Sequence, residues 1–331
     1  MRQLAAAVLH RPGLPEAPGF PRRYTVIKLL QRAAVPAIVV LVVLTPAARA
    51  QQAFPSPEQA AAALAAAVKS GKNRAILKLL GPAADDIIDS GDEVADAEMR
   101  QRFTAAYDAK HSIKTEGNKK ATLIVGDDDF PFPIPLYNTS SGWEFDTKAG
   151  RLEILYRRIG RNELDAIQTS LAYVDAQNEY AEKDHGLGVG VYAQRIVSSP
   201  GKKDGLFWQD DRDPSPLGEL AAKASREGYK LGESGTPYHG YYYRTLKAQG
   251  SGAPGGALSY LVNSKMIGGF ALIAYPAEYG NSGVMTFMIN HSGTVYQKDL
   301  GRWSDVIAKR MRLFDPDQTW KKVDLDTLTK K

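Results

Sequence analysis

The chain has 331 residues, 42 of them basic and 37 acidic, and it contains no cysteine. Without cysteine there are no disulfide bonds and no cysteine ligands for zinc, so the fold must rely on its hydrophobic core. Residues 1–50 hold seven of the basic side chains and one of the acidic ones, which leaves 35 basic and 36 acidic side chains in residues 51–331. A nearly neutral chain lacks the dense basic face that nucleic-acid binding requires, so no nucleic-acid partner is expected.

Residues 1–50 have the layout of a secretory signal peptide. Arg22, Arg23 and Lys28 form a basic region ahead of the apolar run 33–44, and small residues end the segment at Ala50. The alternative is a retained membrane helix, but the twelve residues of this run would span only about 18 Å of a hydrocarbon core that is roughly 30 Å thick. We therefore expect cleavage after Ala50, no membrane span in the mature chain, and a periplasmic or secreted location.

The first part of the expected mature chain, residues 51–148, predicts helices followed by a sheet. Ser56 is a suitable N-cap for an alanine-rich helix. Prolines in the run 130–135 lack the N–H donor of a central strand, so this run is expected at a sheet edge or in a polyproline segment. Two further helices and two strands are expected at residues 76–80, 96–110, 121–125 and 143–146. Small helices followed by a curled sheet would resemble a cystatin-like or nuclear-transport-factor-like domain.

The second part, residues 149–301, predicts a long helix packed on an antiparallel sheet. From residue 149 to 185 there is no proline, and apolar side chains recur every three to five positions from Leu152 to Val174. A shorter helix and four strands are expected at residues 216–227, 241–246, 270–275, 284–289 and 295–296. The predicted class is therefore α+β.

These patterns divide the chain into four segments. They are a signal peptide (residues 1–50), an N-terminal α+β domain (51–148), a domain of one long helix with an antiparallel sheet (149–301) and a C-terminal tail (302–331).

No compact catalytic set is found, so no catalytic residue is assigned. Gly280–Gly283 lacks the spacing of a Gly-x-Ser-x-Gly elbow and predicts a turn. The histidines do not show the spacing of a zinc-binding pair, so no metal and no cofactor are expected. Asp210, Asp211 and Asp213 are the best local candidates for calcium ligands, but they lack the glycine and glutamate of an EF-hand loop, and whether they bind calcium stays open.

An aromatic cluster is the candidate binding site. It comprises Tyr238, His239, Tyr241 and Tyr243. Strand alternation places Tyr241 and Tyr243 on one face and Tyr242 on the other. Amphipathic tyrosines beside a histidine can line a binding groove, and half-buried tyrosines at a sheet edge are the alternative.

Several segments carry a resemblance to a known family. They are residues 238–243, 249–250, 253–257, 269–277, 279–280, 282–287 and 295–301. These segments resemble a bacterial exported family, domain-of-unknown-function family 2950, and the similarity extends over about residues 54–301. The family implies no established activity and no catalytic residues. Residues 162–180 are also similar in texture to the long helix of type IV pilins and pseudopilins, but the hydrophobic half-helix that anchors a pilin is missing before Ala149.

Together these observations predict an exported envelope protein that is a non-enzymatic binding or structural module. Its partner would be an envelope protein or a polymer. The alternative is a periplasmic hydrolase or small-ligand binder with an aromatic pocket around His239 and Tyr241.

Overall fold

The computed structural model describes residues 51–210, 212–230 and 236–326. The predicted signal peptide, with its cleavage site after Ala50, lies outside the described residues, as does Asp211 of the acidic loop. The described residues belong to one compact unit. Helices and antiparallel sheets both contribute to it, which confirms the predicted α+β class.

Seven α-helices lie in the described residues. They are α1 (Pro57–Lys69), α2 (Asn73–Leu80), α3 (Asp85–Ile88), α4 (Glu93–Ala109), α5 (Thr147–Ala181), α6 (Gly218–Glu227) and α7 (Ser304–Arg310). Short polar side chains begin three of them, because Ser56, Asp92 and Asp146 each accept a hydrogen bond from a backbone N–H of the first turn. Gly228, in the left-handed conformation with φ 103°, ends α6.

Sixteen strands lie in the same residues. They are β1 (His111–Glu116), β2 (Lys120–Val125), β3 (Phe130–Pro131), β4 (Leu136–Thr139), β5 (Gly142–Phe145), β6 (Arg195–Val197), β7 (Gly205–Phe207), β8 (Tyr241–Leu246), β9 (Ala248–Gln249), β10 (Leu258–Ser259), β11 (Leu261–Val262), β12 (Lys265–Met266), β13 (Ala271–Pro276), β14 (Met285–Asn290), β15 (Tyr296–Asp299) and β16 (Lys321–Lys322). The two large sheets have the strand orders β1-β2-β4-β5, with β3 on β2, and β16-β15-β14-β13-β8.

The first sheet packs its inner face on the N-terminal helices. In β2, Ala121, Leu123 and Val125 are buried while the alternate residues are half-buried, as expected for a strand with one face on the core. The proline run begins as the short strand β3, which pairs with β2 alone and so lies at a sheet edge. The likeness to cystatin-like or nuclear-transport-factor-like domains stays a prediction.

Helix α5 runs through 35 residues, about 52 Å, and packs on β13 and β14 as predicted. Its buried face differs from the expected stripe, because Leu152 is 50% exposed while Leu155 is buried. The same face buries polar residues, among them Arg158 and Asn162. Arg158 donates to a backbone carbonyl of α3, and Asn162 donates to one in the loop before β14. Hydrophobic periodicity does not reveal such contacts.

The second sheet is covered on both sides. All six residues of β13, an interior strand of this sheet, are buried, and both α5 and α7 contact the strand. Such a strand has a continuous apolar run rather than an alternating pattern. The main hydrophobic core of the chain surrounds it.

Residues 302–326, assigned to a tail from the sequence, pack on this second sheet. Helix α7 contacts β13, and β16 pairs with β15 at the sheet edge. Phe314 and Ala308 are fully buried. The proposed boundary between residues 148 and 149 falls in the first turn of α5 and stays a prediction. Within the described ranges, no helix is both long and apolar enough to span a membrane.

Candidate functional site

The predicted aromatic cluster lies at the turn that leads into β8. Tyr238 N donates to Tyr241 O at 2.9 Å, and Tyr241 N donates back to Tyr238 O at 3.1 Å. Between them, His239 and Gly240 have φ angles of 49° and 73°, the positive values that a two-residue hairpin turn of type I′ uses. The turn separates the cluster, because Tyr238 and Tyr243 line one cavity and His239 lines another.

Tyr241 reaches neither cavity. Its side chain is fully buried, and its hydroxyl donates to Met285 O at 2.9 Å. The ring lies so close to Gly283 that a Cβ at that position would overlap it. Burial raises the pKa of Tyr241 well above its usual value. The structure thus places the side chain of Tyr241 in the core of the sheet, away from the cavities that the other three residues line.

A cavity of about 390 Å³ lies beside β8, between α5 and α6. This volume is in the usual range of small-molecule sites. Five tyrosines line it together with apolar side chains such as Leu217, Leu220 and Leu272. The tyrosines are Tyr173, Tyr229, Tyr238, Tyr242 and Tyr243. We call this space the tyrosine cavity.

Hydrogen bonds within the protein and raised pKa values characterise the tyrosine hydroxyls of this cavity. Tyr229 donates to Asp92 Oδ2 at 2.9 Å. Burial raises the pKa of Tyr173 to about 12. Burial, and then the charges of Asp92 for Tyr229 and of Glu227 for Tyr238, raise the pKa values of these two phenols further. Tyr173, Tyr229 and Tyr238 therefore present neutral aromatic rings to the cavity.

His239 lies between two carboxylates. Its Nδ1 is 3.3 Å from Asp165 Oδ2, and its Nε2 is 3.2 Å from Glu227 Oε2. The latter two atoms are buried and lack the alignment of a hydrogen bond. The ring of Tyr238 packs edge-on against the imidazole, with centroids 4.2 Å apart. A histidine held by a carboxylate at Nδ1 has the orientation of a general base, but here a second carboxylate, rather than a hydroxyl, faces Nε2.

A polar cavity of about 150 Å³ opens beside His239. Arg102, Arg158 and Arg161 line it together with Asp96 and other polar groups. Burial raises the pKa of Asp96 and lowers that of Arg158. The cavity is therefore a charged space in which opposite charges partly balance.

Arg158 is bound by the protein itself. It is 2% exposed. One guanidinium nitrogen donates to Asp86 O at 2.8 Å and to Asn281 Oδ1, and the other donates to Ile87 O. This side chain joins the end of α3 to the loop before β14, so we assign it a structural role.

The acidic loop is occupied by a lysine. Lys203 Nζ lies 3.1 Å from Asp210 Oδ2 and 2.6 Å from Asp213 Oδ2. Hydrogen bonds from the Arg212 N–H and from Lys203 hold the pKa of Asp210 below its usual range, and Lys203 does the same for Asp213. Nowhere in the described part of the chain do three metal-binding side chains of the His, Cys, Asp or Glu type group together. Asp211 lies outside the described residues, and calcium binding here is not proposed.

The sequence analysis did not identify four residues that contact the turn between Tyr238 and Tyr241. They are Asp92, Asp165, Glu227 and Tyr229, and they meet only in the folded chain. Asp92 caps the start of α4, Asp165 and Glu227 lie in α5 and α6, and Tyr229 follows the end of α6. The one local signal was Gly228, the predicted helix end directly before Tyr229. Tyr242 was named only as the opposite face of β8, although it also lines the tyrosine cavity.

The comparisons with known proteins define the class of the chain. The model of a family described as a protein of unknown function, DUF2950, matches residues 51–323. The chain therefore belongs to this family, and the resemblance noted from its segments is confirmed. The likeness to pilins has no such support. No curated protein and no solved structure matches the chain.

Proposed function

We propose that this protein is a non-enzymatic binding module that acts outside the cytoplasm, with its ligand in the tyrosine cavity. The observation that carries the proposal is the cavity of about 390 Å³ in which five tyrosines meet apolar walls. Sites for small ligands are concave, mostly apolar and lined by aromatic side chains with a few polar groups. The aromatic cluster predicted from the sequence supports this location through Tyr238 and Tyr243.

Export is part of the same proposal. The basic segment, apolar run and small residues of positions 22–50 support secretion and cleavage after Ala50. Intact-mass measurement of the protein recovered from the periplasm or medium of its host would show a chain beginning at Gln51. A product that stays in the cytoplasm with residues 1–50 attached would contradict this half of the proposal.

The ligand that fits best presents ring faces, because aromatic and aliphatic side chains form most of the lining and Lys230 is the one charged residue among its described members. The walls offer neutral phenol rings, for example Tyr238 and Tyr229 with centroids 4.9 Å apart in an edge-on arrangement. Sugar rings have apolar faces that stack on tyrosine and hydroxyls that can replace water at its polar edge. For an envelope protein, we therefore favour a segment of a glycan polymer as the bound partner.

The test is ligand-dependent thermal stabilisation. Oligomers of N-acetylglucosamine and a muramyl peptide are the probes, because anything that binds only the folded state raises Tm. We expect Tyr238→Ala and Tyr242→Ala to lose the shift. Tyr137→Ala, on the exposed surface of β4, should keep it, since this tyrosine is 38% exposed and lies outside the cavity. A wild-type protein that no probe stabilises, or cavity variants that keep the shift, would contradict the proposal.

A second candidate is hydrolysis at His239. It is favoured by one observation, the 3.3 Å approach of Asp165 to Nδ1 beside the polar cavity. The wild-type protein and His239→Gln should then differ in the release of nitrophenol from nitrophenyl esters and glycosides. Equal background rates in both proteins would exclude this candidate and leave the binding function untouched.

A further inference from the structure

A third cavity, of about 520 Å³, lies in the N-terminal half of the described chain. Its walls come from α1, α2 and α4 and from β2 and α5, and they are mainly apolar. Leu64, Ile76, Phe103 and Val125 are examples of this lining. The lining includes members of two hydrophobic clusters, Leu64 and Ile76 of one and Val125 of the other. Its volume is sufficient for an organic molecule of moderate size.

Arginines surround this apolar space. Arg100, Arg102, Arg157, Arg158 and Arg161 line it, against the two aspartates Asp96 and Asp128. We call it the arginine-rimmed cavity. An apolar interior with an excess of positive charge at its edge is complementary to an amphiphile whose head group is negative.

The five arginines differ in what they already bind. Arg158 is used by backbone carbonyls and Asn281, as described above. Arg102 pairs with Glu98, and Arg157 pairs with Glu153, each at 2.7 Å along its own helix.

Arg100 and Arg161 have no carboxylate partner among the described residues. Arg161 is exposed. Desolvation, and next the charge of Arg102, lower the pKa of Arg161. An anion at the rim would add a counter-charge beside Arg161 and Arg102.

We propose that the arginine-rimmed cavity binds a single-chain amphiphile with an anionic head group, such as a fatty acid. The acyl chain would lie between the apolar walls, and the carboxylate would bind the unpaired guanidinium groups of Arg100 and Arg161. Arginine presents two parallel N–H groups to a carboxylate, which suits this pairing. A cationic amphiphile would meet repulsion at the same rim.

This inference is independent of the proposed function. The arginine-rimmed cavity and the tyrosine cavity share no lining residue. A Tyr238→Ala variant should therefore lose glycan-dependent stabilisation and keep amphiphile binding, so that the two proposals can fail separately.

Calorimetric titration of the purified protein with three amphiphiles tests the proposal. The probes are decanoate, dodecanoate and dodecyltrimethylammonium, all below their micelle-forming concentrations. We expect one dodecanoate per chain, with affinity rising about fourfold per added methylene group. The cationic probe should bind more weakly by roughly tenfold or more. Equal affinity for the cation and the anion, or affinity that does not depend on chain length, would overturn the proposal.

Variants locate the binding. The double variant Arg100→Gln with Arg161→Gln should weaken dodecanoate binding by roughly tenfold or more, whereas Arg74→Gln, at an exposed position of α2 outside the cavity, should not. Met99→Trp places a larger side chain in the cavity and should block entry of the acyl chain. If Met99→Trp does not fold, as judged by circular dichroism, Ala106→Leu on the same wall is the smaller replacement. Folded filling variants with wild-type affinity would overturn the proposal.

A bilayer is the other source of acyl chains with anionic heads. Co-sedimentation with phosphatidylglycerol vesicles distinguishes the two sources. A cavity for one chain should bind free dodecanoate, and the protein should stay in the supernatant when the vesicles are pelleted. Protein that binds the vesicles and does not bind free dodecanoate would overturn the single-chain proposal.

Discussion

Asp92 Oδ2 accepts a hydrogen bond from the backbone N–H of Gly240 at 2.8 Å, across 148 positions of the sequence. The same oxygen accepts the hydroxyl of Tyr229, while Oδ1 caps α4 by accepting from Ala95 N. Tyr229 in turn accepts the N–H of His239 at 3.2 Å. One buried carboxylate therefore fixes both the start of a helix and the turn that separates the tyrosine cavity from the polar cavity.

Asp92→Ala should destabilise the protein by about 2–4 kcal/mol, because it removes a helix cap and leaves two donors of the 229–240 region without an acceptor. Asp127→Ala, at an exposed position, should change the unfolding free energy by less than about 0.5 kcal/mol. Urea denaturation measures both. A cost below about 1 kcal/mol for Asp92→Ala would show that the Asp92 network is dispensable.

Arg158→Met should cost about 3 kcal/mol of unfolding free energy. The guanidinium is buried, and its loss leaves Asp86 O, Ile87 O and Asn281 Oδ1 without their donor. Arg157→Met, one position along the same helix and on the solvent side, provides the control, since its ion pair with Glu153 is exposed and worth little. Equal midpoints of urea denaturation for the two variants would contradict the structural role of Arg158.

Much of the fold could be predicted from the sequence because its signals are local. Caps and breakers at Ser56, Gly228 and the proline run mark chain segments that the structure bounds within a few residues. Short runs rich in aromatic and β-branched residues located the strands β8 and β13 of the second sheet. These features depend on residues that are close in the sequence, so a single sequence is enough to recognise them.

The candidate sites were less predictable for a physical reason. Tyr241 and Tyr243 are both tyrosines of the same strand, yet Tyr241 lies in the core and Tyr243 lines a cavity. The difference depends on which distant segments pack against each ring, and only the folded structure determines that. Arg158 reads as an ordinary surface cation of a long helix and is in fact buried against backbone carbonyls. Interactions between distant segments leave no local pattern.

Gly150 and Gly160 lie on the same helix and should respond in opposite ways to alanine. At Gly150 an added Cβ would lie 2.7 Å from Ile134 Cα and closer still to Pro133 O, so Gly150→Ala must push the proline run away from α5. At Gly160 nothing lies within 4 Å, and Gly160→Ala should stabilise by up to about 1 kcal/mol through helix propensity. Thermal unfolding of the two variants should therefore move in opposite directions, and a stabilised Gly150→Ala would refute the close packing.

Glu163 should make stability fall as pH rises above the acidic range. Its Oε1 accepts from Val284 N at 3.0 Å and from Met285 N at 2.9 Å. Burial raises its pKa above the usual 4.5, against the opposing effect of the two hydrogen bonds. Between the unfolded and the folded pKa, the folded state holds the proton that the unfolded state has released, so protonation stabilises the fold there.

Glu163→Gln keeps an acceptor oxygen and removes the proton exchange. The unfolding free energy of the wild type minus that of Glu163→Gln should therefore be largest at the acidic end, near pH 4.5, and should decrease as pH rises through the raised pKa. Taking this difference cancels the contributions of the other carboxylates. Glu163→Ala removes the acceptor and should cost about 1–3 kcal/mol at every pH, because two buried N–H groups lose their partner. Urea denaturation from pH 4.5 to neutral pH measures all three proteins. Parallel curves for the wild type and Glu163→Gln would show that the Glu163 carboxyl is not desolvated.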